Sequence, residues 1–493
     1  MAVRGSLLAA AALLSVQLAA RAQAAEPAPA PPPHRRLADR LTPCHVAGLE
    51  EEVLCGRHEV FENRAAQRGR KIGLHLVVLP AKSPVVADDP LVFLAGGGVV
   101  PASRYAGFFA KGFAALREHR DIVLLDQRGS GGSNELDCPL STDPANAEYR
   151  DADRFVAAVR RCRAALEQKA DLRLYSTPIA MDDLDEVRAW LGYRRLNLYG
   201  ASYGTQAAMV YLRRHPGSVR SIALQGVVPL DLPMWLEAPR TVQQALEAVF
   251  SACAGQSACQ AAFPHLAEEF SDLLERLAAK PLKVEVSKPQ TGKRVEVPID
   301  DQVLRAFVLS CLYGADRIHD LPLLIHLAEA GDLQPIALKL AEREGSEIPK
   351  GVYFSIICNE ELHFTAAALN QASVGTFMGP LRLSREALAC REWPRSAPPD
   401  GYWTPVSSPV PALVMTGALD AITPPRYGAH VATTLANARV LVLPGRSHND
   451  ADDCVTGIVS AFVEAGGAQG LDTSCLDKTP PQSFALAKDQ LSH

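Results

Sequence analysis

Three kinds of feature are absent from most of this 493-residue sequence. Beyond the first 24 residues no apolar run reaches the roughly 20 residues of a membrane-spanning helix, which excludes such helices from the rest of the chain. No basic run offsets the formal net charge of −5, which argues against a nucleic-acid partner. No Cys-x-x-Cys pair or paired Cys/His spacing occurs, so we expect no zinc site and predict no metal and no cofactor.

The first 24 residues have the pattern of a secretory signal peptide. Arg4 precedes an apolar run over residues 7–20, and residues 22–24 form a small-x-small cleavage site. An uncleaved anchor is the alternative, but the run is shorter than a membrane span. Residues 25–40 form a leader rich in Pro and Ala at its start. We therefore expect a secreted or periplasmic protein with no membrane span after cleavage.

Eleven cysteines in a chain with a signal peptide predict disulfides formed in an oxidising compartment. Spacing alone leaves other connectivities open, but it favours local pairs and leaves Cys311 as a buried thiol. The expected pairs are Cys44–Cys55, Cys138–Cys162, Cys253–Cys259, Cys454–Cys475 and, on weaker grounds, Cys358–Cys390.

Short, continuously apolar runs alternate with helical patterns over the first half of the chain and again near its end. Such runs are typical of strands buried on both faces of a sheet, and their alternation with helices predicts a mostly parallel sheet flanked by helices. The runs are 72–79, 91–95, 122–125, 196–199, 221–224, 412–415 and 440–443. One intervening helix is predicted over 182–191, with Asp182 and Asp183 at its start and Gly192 after its end.

Residues 231–400 interrupt this alternation of strands and helices. Most segments there are helical, such as 242–252 and 266–279, and a small hairpin is expected at 284–297. The sequence therefore predicts one α/β domain split by a mainly helical insertion, which we call the cap. Its parts are 41–230 (first part of the core), 231–400 (cap) and 401–493 (second part of the core).

The segment Gly200-Ala201-Ser202-Tyr203-Gly204 matches the pattern G-x-S-x-G. In this motif a serine lies on a sharp strand-to-helix turn, where small flanking residues leave room for the turn. A strand pattern precedes the motif and a helical pattern follows it, as the motif requires. Ser202 is therefore the predicted nucleophile of a hydrolase, and the alternative is a small-residue turn with a buried serine.

A serine nucleophile needs a base, and the base needs an orienting acid. Asp420 and His448 each end a loop that follows a late predicted strand, in the chain order Ser, acid, His that this motif requires. They are the predicted acid and base. The predicted donors to an oxyanion are the amide of Tyr203, which opens a helix, and an amide of the glycine loop that follows an early strand, with the choice between Gly97 and Gly98 left open. A plain glycine turn is the alternative for that loop.

Together these segments resemble the proline iminopeptidase and tripeptidyl aminopeptidase family of α/β-hydrolases, in its secreted branch. The resemblance rests on Gly96-Gly97-Gly98, on Asp126-Gln127-Arg128-Gly129-Ser130-Gly131, on the serine motif, on Thr416-Gly417-Ala418-Leu419-Asp420 and on His448. It departs from the family pattern after Gly98 and around His448. It implies the α/β-hydrolase fold and the release of N-terminal residues from short peptides through an acyl-enzyme.

The resemblance also implies a cap acid that binds the substrate's protonated α-amine. Glu360 is the first candidate and Glu361 the second, while an exposed acid pair at a helix start is the alternative. Arg128 has two open roles, positioning the acyl group or structuring its own loop.

The partner that the resemblance implies is a small peptide with a free N-terminus, and the oligomeric state stays unknown. The competing functions are a secreted carboxylesterase with the same triad and a non-enzymatic binding protein.

Overall fold

The computed structural model describes residues 37, 39–97, 99–288, 290–342, 348–361, 365–480 and 482–492. The predicted signal peptide, residues 1–24, and most of the predicted leader lie outside the described residues, as does Gly98. Within the described residues, no helix is both long enough and apolar enough to cross a membrane.

Eleven strands form two sheets in the described part of the chain. The strands are β1 (Thr42–Cys44), β2 (Val53–Phe61), β3 (Lys71–Leu79), β4 (Leu91–Leu94), β5 (Ile122–Leu125), β6 (Leu196–Ala201), β7 (Val219–Gln225), β8 (Leu282–Ser287), β9 (Arg294–Ile299), β10 (Ala412–Gly417) and β11 (Ala438–Leu443).

The larger sheet has nine strands in the order β1-β2-β3-β5-β4-β6-β7-β10-β11. The pairs β1/β2, β2/β3 and β3/β5 are antiparallel, and all pairs from β5/β4 onward are parallel. The carboxyl ends of β4 to β7, β10 and β11 therefore meet at one edge, and loops leaving that edge can bring distant residues together.

Sixteen α-helices connect and cover these strands in the described residues. They are α1 (Ala106–Gly112), α2 (Ala147–Arg150), α3 (Ala152–Glu167), α4 (Thr177–Leu191), α5 (Tyr203–Arg214), α6 (Met234–Ala254), α7 (Ser257–Ala262), α8 (Leu266–Ala279), α9 (Asp301–Cys311), α10 (Ala315–Glu329), α11 (Gln334–Glu342), α12 (Lys350–Ile356), α13 (Ala366–Ser373), α14 (Leu381–Glu392), α15 (Pro425–Ala432) and α16 (Asp453–Ala465).

Both faces of the central strands are buried, because successive side chains point to opposite faces. Leu94 and Leu198 pack on one face against residues of α3, α4 and α5. Phe93 and Tyr199 pack on the other face against residues of α1 and α16. The chain thus has the predicted α/β class, with a mostly parallel sheet between two helical layers.

The segment between β7 and β10 is mainly helical and has its own apolar core. Helices α6 and α8–α11 contribute to this core, and the predicted hairpin is present as β8 and β9. The exact domain boundaries at 231 and 400 stay predictions.

Two features of the sheet and its helices differ from the sequence pattern. Strands β1 and β2 were not predicted, because polar residues interrupt β2, which is only partly buried near the sheet edge. Helix α4 begins at Thr177 instead of 182, since Pro178 provides a compatible first turn. Asp183 consequently lies inside the helix, where it is buried.

All five predicted disulfides are present, and Cys311 is buried and takes part in none of them. The weakest of the five predictions, Cys358–Cys390, ties the end of α12 to α14. This bond therefore holds together two segments that line the cavity described below.

Candidate active site

Ser202 lies on the sharp turn between β6 and α5. Its backbone has φ 54° and ψ −123°, a region that residues with a side chain rarely occupy. The Ser202 amide donates to Gln225 O at 2.9 Å, and its carbonyl accepts from Thr205 N at 2.8 Å. Neighbouring strand and helix thus hold the strained turn in place.

The glycines of the motif are required by close backbone contacts. A Cβ atom on Gly204 would lie 1.8 Å from the Leu94 carbonyl oxygen, and one on Gly200 would lie 2.4 Å from the Gly204 carbonyl oxygen. A Cβ on Gly96 would lie 2.9 Å from the Ser202 Cβ. The motif therefore lets α5 start directly against β4.

Ser202, His448 and Asp420 form a continuous hydrogen-bond chain. His448 Nε2 lies 3.0 Å from Ser202 Oγ, and His448 Nδ1 lies 2.9 Å from Asp420 Oδ2. Asp420 follows β10 and His448 follows β11, so the carboxyl edge of the sheet brings together residues 246 positions apart. With Nδ1 protonated toward Asp420, Nε2 can accept the serine proton.

Residues that the sequence pattern did not single out hold this chain in place. Thr423 Oγ donates to Asp420 Oδ2 at 2.7 Å, and the Thr423 amide donates to Asp420 Oδ1 at 2.8 Å. The Tyr313 ring lies edge-on to the His448 imidazole with centroids 5.4 Å apart. A threonine three residues after an acid was a usable signal for Thr423. Tyr313 had none, since it comes from the turn between α9 and α10, far away in the chain.

Two of the three predicted oxyanion donors lie in the described structure. Tyr203 is the first residue of α5, where backbone N–H groups lack an acceptor within the helix. Gly97 has φ 70° and borders the same cavity as Ser202. Gly98 lies outside the described residues.

A cavity of about 620 Å³ opens onto Ser202 and His448. Much of its wall is apolar or aromatic, including Phe93, Tyr105, Phe108 and Trp235. Charged groups are few on this wall, so those present should decide which ligands bind.

Glu360 and Glu361 both lie in the interior, but at different places. Their segment, Ile357–Glu361, is a π-helical turn that continues α12. Glu361 lines the cavity with Ser202, and Trp235 Nε1 donates to its carboxylate. Glu360 accepts from the Thr177 amide at 2.6 Å and from the Tyr402 hydroxyl at 2.5 Å, beside a small adjoining cavity.

Burial raises the pKa of Glu360 to about 7, although hydrogen bonds from Thr177 and Tyr402 partly oppose the shift. Burial likewise raises the pKa of Glu361 to about 7, and the nearby Glu360 carboxylate adds to this effect. A cation bound beside Glu361 would favour its ionised form.

Gln206, on α5, is connected to Glu360 through the Tyr402 hydroxyl. Its Nε2 donates to Tyr402 Oη at 3.0 Å, and its buried Oε1 has no partner in the described residues. Because Gln206 lines both cavities, Oε1 is a second acceptor close to the pocket wall. No sequence pattern singles out Gln206 beyond its position four residues after Ser202.

Arg128, whose role the sequence left open, is fully paired away from the cavity wall. It donates to both oxygens of Asp183 at 2.6 and 2.9 Å and to the carbonyls of Glu62 and Leu174. This buried ion pair fixes the loop after β5, which agrees with the structural role.

Comparisons with known proteins agree with this architecture. A family model described as alpha/beta hydrolase fold matches residues 89–453, which is well over half of the chain. Serine protease Hip1 of Mycobacterium tuberculosis H37Rv is 25% identical over 484 residues, covering 88% of this chain and 90% of Hip1. YuaR of Escherichia coli K12 is 29% identical over 161 residues, only 32% of either chain.

Tripeptidyl aminopeptidase of Streptomyces lividans is 31% identical over 129 residues, covering 24% of each chain. The solved structure of proline iminopeptidase from Mycobacterium smegmatis is 17% identical, with a TM-score of 0.37 over 83% of this chain and 98% of that one. The names of the curated relatives, serine protease and tripeptidyl aminopeptidase, support the resemblance drawn from the sequence. The family match spans Ser202, Asp420 and His448 alike, and it shows that the chain belongs to the α/β-hydrolase family.

Proposed function

We propose that this protein is a secreted serine aminopeptidase that releases N-terminal residues or short peptides from small peptide substrates. One observation carries the proposal. The hydrogen-bonded chain of Ser202, His448 and Asp420 opens onto a cavity whose wall also contains the Glu361 carboxylate. A nucleophile and a buried acid in one pocket suit a substrate with a carbonyl near a free amine.

In the acylation step, His448 Nε2 takes the proton of Ser202 Oγ as Oγ attacks the carbonyl carbon of the scissile amide. Asp420 orients the imidazole and stabilises its charged form. Amides of Tyr203 and Gly97, with the predicted contribution of Gly98, stabilise the oxyanion. His448 then gives its proton to the leaving amine, and the C–N bond breaks to leave an ester on Ser202.

In the deacylation step, a water molecule loses a proton to His448 Nε2 and attacks the ester carbonyl. The proton returns from His448 to Ser202 Oγ as the C–O bond of the ester breaks. The released acid is the N-terminal residue or short peptide of the substrate.

Amine recognition is assigned to Glu361, with the Gln206 Oε1 atom as a second acceptor. An α-ammonium group has three donors, and the cavity offers these acceptors on a wall that is mostly apolar. Glu360, the first candidate from the sequence, is assigned a structural role, because each of its carboxylate oxygens already accepts a hydrogen bond.

Secretion is supported by the predicted signal peptide and by the five disulfides, which persist in oxidising compartments. Both a periplasmic and an extracellular location agree with these features.

A carboxylesterase with the same triad is the second candidate function. The aromatic and apolar wall of the cavity favours it, because such a wall suits an uncharged acyl group. The Glu361 carboxylate on this wall would bring such an enzyme no benefit, so the aminopeptidase is preferred.

The test compares three substrate sets on the purified protein: free-amine aminoacyl anilides including Pro and Ala, the same anilides with acetylated amines, and a nitrophenyl ester. We expect hydrolysis of free-amine anilides and refusal of the acetylated ones. Ser202→Ala should lose at least about 10³-fold in kcat on every substrate.

Ser271→Ala is the matched control, because Ser271 is exposed on α8. It should retain wild-type rates. Ester hydrolysis without cleavage of any anilide would overturn the peptidase proposal, and full activity of Ser202→Ala would overturn the nucleophile.

A further inference from the structure

Arg382 is a cation on the wall of the cavity that contains Ser202 and Glu361. It is the second residue of α14 and also borders a second chamber of about 840 Å³. Tyr353 and Met378 line both spaces as well, so Arg382 stands where the two meet.

The outer edge of the Arg382 guanidinium has unused donors. Its Nε lies 3.4 Å from Glu386 Oε1, and within the described residues neither terminal nitrogen has a hydrogen-bond acceptor. The side chain is 40% exposed, and its guanidinium lies 5.4 Å from the centre of the Trp235 ring. Contact with the indole positions the planar cation, and the exposed part of its side chain is available to a ligand.

The position of Arg382 in α14 is unfavourable for helix stability. A helix N-terminus carries partial positive charge, so a cation in the first turn is repelled there. Glu386 offsets part of this cost through the contact one turn along the helix. A contribution to ligand binding explains a cation at this place better than support of the helix does.

The charges around the second chamber leave room for an anion. Lys350 is another cation on its wall, and its Nζ contacts Thr142 Oγ at 3.3 Å. The acids on that wall each accept at least one hydrogen bond from a neighbouring donor, although Glu386 Oε2 has no partner in the described residues; they are Asp137, Asp143, Glu148 and Glu386.

We infer that Arg382 binds a carboxylate of the substrate through its two terminal nitrogens, and that it makes the enzyme selective for peptides that carry one. The carboxylate is either the C-terminus of a short peptide or an acidic side chain. The inference rests on the proposed function, since it needs a peptide in the Ser202 cavity. Glu361 and Arg382, which both contact Trp235, then bind opposite charges of the substrate.

The experiment measures kcat and KM for matched peptides of two to five residues. One arm compares each C-terminal acid with its C-terminal amide, and the other compares an internal Glu with Gln in amidated peptides. In the wild type, at least one arm should show about a tenfold or larger preference for the carboxylate, mostly through KM. The arm that responds identifies the source of the carboxylate.

Arg382→Met should reduce that preference to within about twofold, and Arg382→Lys should keep part of it. Because Arg382→Met leaves Glu386 buried beside an apolar side chain, the double variant Arg382→Met/Glu386→Gln provides a second test without that charge. Arg391→Met is the matched control, since Arg391 is exposed on the same helix, and it should keep the full preference.

Equal kcat and KM for carboxylate peptides and their neutral counterparts in the wild type would overturn the inference. A carboxylate preference that persists in both Arg382→Met and Arg382→Met/Glu386→Gln would also overturn it. If no peptide is cleaved, the same peptides are tested as competitive inhibitors of nitrophenyl-ester hydrolysis. Carboxylate-dependent inhibition that is lost in Arg382→Met would then support the inference although the aminopeptidase proposal had failed.

Discussion

At the residue scale, two adjacent glutamates differ in burial and in surroundings, since Glu360 is buried and Glu361 is half-buried. Glu360 has a donor on each oxygen, whereas Glu361 faces the cavity beside Trp235. Burying a carboxylate is costly unless a donor or a cation compensates for the lost water. The substrate amine is the compensating cation that we propose for Glu361.

The raised pKa of Glu361 gives a pH dependence to amine binding. Because its pKa is about 7 in the empty cavity, the ionised form that binds an ammonium is present above that pH and is lost below it. A peptide α-amine is protonated below about pH 8, so binding should be strongest between about pH 7 and 8. We expect KM for free-amine anilides to rise below pH 7. The KM of the nitrophenyl ester, measured over the same pH range, is the reference.

Glu361→Gln should raise KM for free-amine substrates by about 10- to 100-fold and remove their extra pH dependence. Glu275→Gln, at an exposed position on α8, is the control and should change neither. An unchanged KM in Glu361→Gln would mean that another group binds the amine, and Glu360→Gln would be the next variant to test.

At the element scale, the turn from β6 to α5 depends on how closely α5 approaches β4. The helix starts against the Leu94 carbonyl, and only a residue without Cβ fits at position 204. Since the same turn sets the direction of the Ser202 hydroxyl, packing and chemistry are coupled here.

Gly204→Ala should therefore lower both stability and activity. Moving the helix away from the strand should cost at least about 1–3 kcal/mol and displace Ser202 from His448. Thermal unfolding and anilide hydrolysis measure the two effects. Gly457→Ala, inside α16 with no atom within 4 Å of the new Cβ, should instead raise Tm slightly. Equal effects of the two substitutions would contradict this account.

At the scale of the whole molecule, the five disulfides are local. Their sequence separations run from 6 to 32 residues, so each one closes a short loop within its own region. The contacts between the cap and the core that border the site are non-covalent, such as the hydrogen bond from the Thr177 amide to Glu360.

Thiol counting checks this arrangement directly. Unfolded without reductant, the protein should take up one alkylating group per chain, at Cys311. After reduction it should take up eleven, and mass spectrometry distinguishes the two numbers. Reduction of the native protein should also lower Tm by several degrees, because each closed loop contributes about 2–4 kcal/mol. More than one free thiol before reduction would contradict the pairing.

The sequence by itself determined the α/β class, the local disulfides and the strand–turn–helix around Ser202, because these follow from short-range patterns of apolar residues, glycine and cysteine spacing. It also singled out Asp420 and His448 from their places after late strands. The sequence did not predict strands β1 and β2, because a partly buried strand near a sheet edge has no continuous apolar run.

The tertiary structure alone decided which side chains share the cavity. Whether Glu360 or Glu361 faces Ser202 depends on a π-helical turn, and the place of Arg382 depends on how α14 packs on Trp235. Neither is encoded in a local pattern, because both depend on contacts between residues far apart in the chain.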